Sequence, residues 1–103
     1  MKQVINKKVY NTETAECLAE YDNGLSGGDF HSLSESLYKT KKGAYFMHGV
    51  GGPMTEYAVR NGNNTSGSSK ITPMIREEAI EWAESRKQTH LFDTEFADAI
   101  TEA

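Results

Sequence analysis

The chain has 103 residues, of which 37% are hydrophobic and 25% charged, with a formal net charge of −4. That length fits a single domain, residues 1–103, with a modest core, and no run of about 18 apolar residues is present to cross a membrane as a helix. The opening MKQVINKKVY lacks the apolar centre of a secretory signal and Cys17 is the only cysteine, which together point to a reducing cytosol.

In chain order, Val4-Ile5 is a short β-prone stretch, Asn6-Lys7-Lys8 a polar turn, and Val9-Tyr10 continue the extended chain. Asn11 or Thr12 can cap a brief helical turn, because a side-chain oxygen there accepts an orphan backbone N–H. From Cys17, the residues Leu18, Ala19 and Tyr21 suit a strand ending at Asp22-Asn23-Gly24, and LSGGDF is a flexible loop with two adjacent glycines. Residues 33 to 49 predict an antiparallel hairpin. Leu33, Glu35, Leu37 and Lys39 share one strand face, Ser34, Ser36, Tyr38 and Thr40 the other, and Lys41-Lys42-Gly43 turns the chain into the aromatic return strand Ala44 to His48.

Pro53 then stands where a first helical residue should be, with Met54, Tyr57 and Ala58 at helical spacing and Asn61-Gly62 as the stop. NGNNTSGSSK is a polar loop, and KITPM adds a short strand that Pro73 places at an edge or a strand end. The next helix carries Ile75, Ala79, Trp82 and Ala83 as one apolar stripe, with Glu77, Glu81 and Glu84 on a different face. A last helix runs from about Asp93, its N-cap, to Thr101, with Phe92, Phe96 and Ile100 inward. The fold class is α+β: a small twisted antiparallel sheet of three to five strands with helices packed on one face.

The glycine turn Gly49-Val50-Gly51-Gly52-Pro53-Met54 lacks the lysine and hydroxyl of a nucleotide-phosphate loop and the third glycine of a dinucleotide loop. Its plain reading is a tight strand-to-helix corner. Cys17, His31, His48 and His90 match no close metal-ligand spacing, and nothing local positions Cys17 as a nucleophile. No catalytic residue, metal or cofactor is assigned, and the chain reads as a binding protein and not as an enzyme.

Two surfaces carry chemistry. Tyr38, Tyr45 and Phe46 with Lys39, Lys41 and Lys42 place aromatics and lysines on one hairpin, a mixture that can stack on and neutralise single-stranded nucleic acid. Residues 1–76 hold nine Lys/Arg against seven Asp/Glu, whereas residues 77–103 hold two against eight. Glu77, Glu81 and Glu84, with Asp93, Glu95, Asp98 and Glu102, therefore offer carboxylates spaced roughly as phosphates are along a nucleic-acid strand, a surface suited to a partner's basic channel. A solvated helix face of a soluble protein has the same appearance.

INKKVYNTETA (5 to 15), LYKTKKGAYFMHGVGGPMTEYA (37 to 58) and ITPMIREEAIEWAE (71 to 84) resemble small proteins of phages and mobile elements in Gram-positive bacteria; the tail from 85 to 103 lies outside the resemblance. Small acidic proteins of that setting include anti-CRISPR proteins, some of which inhibit Cas9. The resemblance implies a stoichiometric inhibitor that acts in the host bacterial cytosol and blocks guide or target loading. One departure is Ile75, where similar proteins have Ser or Thr as N-cap of the Trp-bearing helix. The alternative is a small nucleic-acid-binding accessory protein that uses the Tyr38–Tyr45 hairpin.

Overall fold

Strands β1 (Lys2–Ile5) and β2 (Lys8–Asn11) form a hairpin in the computed structural model, which describes residues 1–25 and 29–102. Asn6 and Lys7 between them both have positive φ, 51° and 65°, as a two-residue turn that follows the strand twist requires. Val9-Tyr10 therefore return alongside β1 instead of prolonging it. The glycine pair of LSGGDF, Gly27 and Gly28, lies outside the described residues.

The central sheet is antiparallel throughout. Strands β3 (Glu16–Asp22), β4 (Leu33–Lys39), β5 (Tyr45–Gly51) and β8 (Ser68–Met74) lie in the order β3-β4-β5-β8. The expected hairpin is β4–β5, with Leu37 opposite Met47 and Tyr38 opposite Phe46. Thr40 closes its turn by bonding Ala44 and Gly43, and Gly43 adopts φ 90°. The expected strand from Cys17 is β3, with a bulge between Cys17 and Ala19, and KITPM falls in β8, where Pro73 occupies an edge strand.

Three expectations are corrected. Pro53 to Ala58 is a series of turns and not a helix, because the chain doubles back: the Met54 N–H bonds the Phe30 carbonyl and the Thr55 hydroxyl bonds the Gly52 carbonyl. The supposed loop NGNNTSGSSK supplies the turn and the return strand β7 (Asn64–Ser66) of a hairpin with β6 (Val59–Asn61), and then the start of β8. Asn61 pairs with Asn64, so Gly62-Asn63 turns a hairpin, with Gly62 at φ 64°, and Asn61-Gly62 does not stop a helix. Asp93 to Thr101 is not an α-helix either; short 3-10 turns cover Thr89–Phe92 and Ala97–Ala99.

The α-helix α1 spans Arg76–Ser85. Ile75 at its start has no side chain able to cap, and Glu78 takes over by accepting the Ile75 N–H at 3.0 Å. Ala79, Trp82 and Ala83 share a buried cluster with Ala19, Leu37, Tyr45 and Met47, joined by Leu91 and Phe96 from the tail. Alternate strand residues point oppositely, and Phe46 and Ile71 accordingly pack with Tyr10 of the β1–β2 hairpin in a second cluster. The outer rim of β3 is covered by the tail: the Gln88 amide donates to the Glu20 carbonyl at 3.2 Å, and His90 Nε2 sits 3.3 Å from that of Leu18.

Candidate protein-binding surface

Glu77, Glu81 and Glu84 project from α1 as a single exposed stripe, one and two helical turns apart. Among the described residues none of the three accepts a side-chain hydrogen bond or meets a cation within ion-pair distance. Asp93 is likewise exposed and unpaired. Two of the other predicted carboxylates have partners within the molecule. Asp98 meets Arg76 at 2.5 Å, and Glu95 accepts from Lys39 at 2.7 Å and from the Tyr45 hydroxyl. The Lys39 and Tyr45 bonds hold the Glu95 carboxyl below its ordinary range, against a smaller opposing effect of burial.

The structure does not bring the predicted aromatic and lysine residues of the β4–β5 hairpin onto one surface. Tyr45 is buried in the α1 cluster, whereas Tyr38 lies on the opposite side, half-buried and stacked on Phe46 with ring centroids 5.1 Å apart. Lys41 and Lys42 are exposed in the turn.

Sequence reasoning missed a buried carboxylate at the centre of the molecule. Glu35 is 5% exposed and accepts four hydrogen bonds: from the Tyr57 hydroxyl at 2.7 Å, from Trp82 Nε1 at 3.0 Å, and from Arg86 Nε and Nη2 at 3.0 and 2.8 Å. Burial pushes its pKa up, but those bonds and the guanidinium charge together outweigh burial and hold it below the usual value. Burial, then the bond to Glu35, push the Tyr57 phenol far above its ordinary value. With both oxygens accepting and its pKa held low, Glu35 is suited to tying β4, the 52–58 turns and α1 together, and not to moving protons. The signal for it was legible: a glutamate flanked by leucines on one face of a strand needs donors brought from elsewhere.

The glycine turn serves that network. A Cβ on Gly49 would fall within the Tyr57 ring, and one on Gly51 would strike the Thr55 side chain. One on Gly52 would come within 2.6 Å of the Phe30 carbonyl oxygen. These glycines let a side chain and a crossing backbone lie against the strand; β5 runs on through Gly51, and no helix follows to make a phosphate cradle.

Cys17 is exposed, and its thiol is pushed up by partial burial and then by the charge of Glu20, which lowers its thiolate content and so its reactivity at neutral pH. No three His, Cys, Asp or Glu side chains among the described residues gather as metal ligands would. The open chemistry is therefore that of the acidic stripe. No family model, curated protein or solved structure matches the chain.

Proposed function

We propose that this protein is an anti-CRISPR-type inhibitor that binds a bacterial defence nuclease of the type II Cas9 class and blocks loading of its guide or target nucleic acid. The observation that carries this reading is the Glu77–Glu81–Glu84 stripe, exposed and unpaired among the described residues and extended by Asp93. In this reading α1 and the tail turns pack on one face of the sheet, so that the stripe faces outward. Carboxylates held on a rigid helix compete for a basic channel without ordering a flexible segment first, and their charge speeds the encounter. Lys39, Tyr45 and Arg76 hold Glu95 and Asp98, whose role is then to brace the tail beside the stripe.

The test is a cleavage reaction with purified Cas9, guide RNA and target DNA, to which the protein is added before or after guide loading. Inhibition confined to early addition is expected, and so is its loss in the Glu77→Lys/Glu81→Lys/Glu84→Lys variant. Full cleavage in both orders overturns the nuclease reading, and a fully inhibitory triple variant overturns the channel-mimic part of it.

A further inference from the structure

We infer that the cleft between the β1–β2 turn and the β4–β5 turn is a binding site for the phosphodiester backbone of single-stranded nucleic acid. The cleft has a volume of about 590 Å³, and its charged lining residues, Lys7, Lys8 and Lys42, are all lysines. Val9, Tyr10 and Thr40 line it as well. Among the described residues none of the three lysines forms an ion pair or a side-chain hydrogen bond, although the protein as a whole is acidic. Three cations gathered without a carboxylate repel one another, and an anion in the cleft relieves that repulsion.

Both walls are preformed. Asn6 and Lys7 are fixed in left-handed turn conformations, and the Thr40–Ala44 turn is closed by three hydrogen bonds from backbone N–H groups. A second hollow of about 380 Å³ shares Thr40 with the first, but its charged lining mixes Lys39 and Lys41 with Glu16, so the unopposed positive charge is confined to the first cleft. A cleft of about 590 Å³ with three lysines in its lining has room for more than one phosphate, which favours a polymer over a lone phosphate ion. The neighbouring aromatic rings are occupied with each other: Phe46 packs against Tyr10 edge-on and against Tyr38 face-to-face. Recognition is then of the backbone charge and tolerant of base sequence. This site differs from the Tyr38–Tyr45 surface expected from the sequence, and it stands whether or not the acidic stripe meets a nuclease.

The experiment is fluorescence anisotropy of a labelled oligothymidine strand titrated with the full chain at several salt concentrations. Three neutralised phosphates predict a log–log salt slope of roughly −2, so a fourfold rise in salt weakens binding roughly 20-fold. Lys7→Asn/Lys8→Gln/Lys42→Gln, in which asparagine keeps the left-handed turn, is expected to weaken binding at low salt and flatten the slope. Should circular dichroism show that this variant is unfolded, Lys8→Gln/Lys42→Gln gives the same reading with two charges removed. Absence of binding by the unmodified protein at low salt overturns the inference, as does an unchanged slope in the folded variants. Displacement of the strand by polyglutamate at equal charge concentration overturns its assignment to nucleic acid.

Discussion

Tyr57 lies against Gly49 so closely that the strand has room for a hydrogen and for nothing larger. Gly49→Ala is therefore expected to lower stability by about 3 kcal/mol, the upper range for forcing a methyl into a filled core. Urea unfolding measures it. In a Tyr57→Ala background the obstruction is gone, so the same substitution should cost much less there. Equal costs in both backgrounds would show that the ring is not what Gly49 accommodates.

Glu35 is the acceptor shared by Tyr57, Trp82 and Arg86, and removing its charge strands a guanidinium in a partly buried position. Glu35→Gln should destabilise by about 3 kcal/mol. Trp82→Phe, which keeps most of the ring and loses one donor, should cost about 1–2 kcal/mol. Chemical unfolding of the two variants side by side tests the order; a Glu35→Gln protein as stable as the parent would mean that the network is ornamental.

Two carboxyls set the acid limb of stability. Glu35 and Glu95 both have folded pKa values below the ordinary 4.5, so they bind protons more weakly folded than unfolded. Their contribution is present above that value and is lost as pH falls through their lowered folded values. At the alkaline end the sign reverses. Tyr57, raised above its ordinary 10.0, stays protonated in the fold while the unfolded chain ionises, so stability declines as pH rises past that value. Melting temperature against pH should fall on both sides, and ultraviolet titration should show Tyr57 ionising only as the protein unfolds.

Lys7 and Lys87 both stand in the left-handed region, with φ 65° and 56°. Lys7 turns the first hairpin; Lys87 follows α1, where the Gln88 N–H bonds back to Ala83 at 2.8 Å. Glycine is the residue suited to such positions. Lys7→Gly and Lys87→Gly should each stabilise by about 0.5–1 kcal/mol, readable as raised unfolding midpoints. For Lys7 the gain in stability should come with weaker oligonucleotide binding, since the same side chain lines the lysine cleft.

The β4–β5 hairpin was legible because β4 alternates with period two ahead of Lys41-Lys42-Gly43 and an aromatic return strand, β3 because an apolar stretch ends at Asp22-Asn23-Gly24, and α1 because Ala79, Trp82 and Ala83 fall on one stripe. The tail misled for a physical reason. Phe92, Phe96 and Ile100 have the spacing of a helical face, yet only Phe96 is fully buried and Ile100 is 52% exposed, so too little is gained to nucleate a further helix. The 59–66 hairpin has exposed residues throughout, which leaves Asn61-Gly62 as its only strong sign, and that dipeptide also ends helices. Of the candidate surface, the stripe of Glu77, Glu81 and Glu84 followed from helical spacing alone. The pairing of Glu95 with Lys39 and Tyr45 spans 56 and 50 positions of chain and had no local trace. The partners of Glu35 were hidden for the same reason, 22 to 51 positions away, although Glu35 itself stood out between Leu33 and Leu37.

The tail's hold on β3 has a consequence for assembly. With Gln88 and His90 occupying the carbonyls of Glu20 and Leu18, that rim resists the addition of a foreign strand, while β8 forms the sheet's other margin. Templated growth needs two open margins on every copy. Strand addition to the central sheet is therefore favoured along β8 over β3, so two copies pairing through this sheet would meet margin to margin at β8.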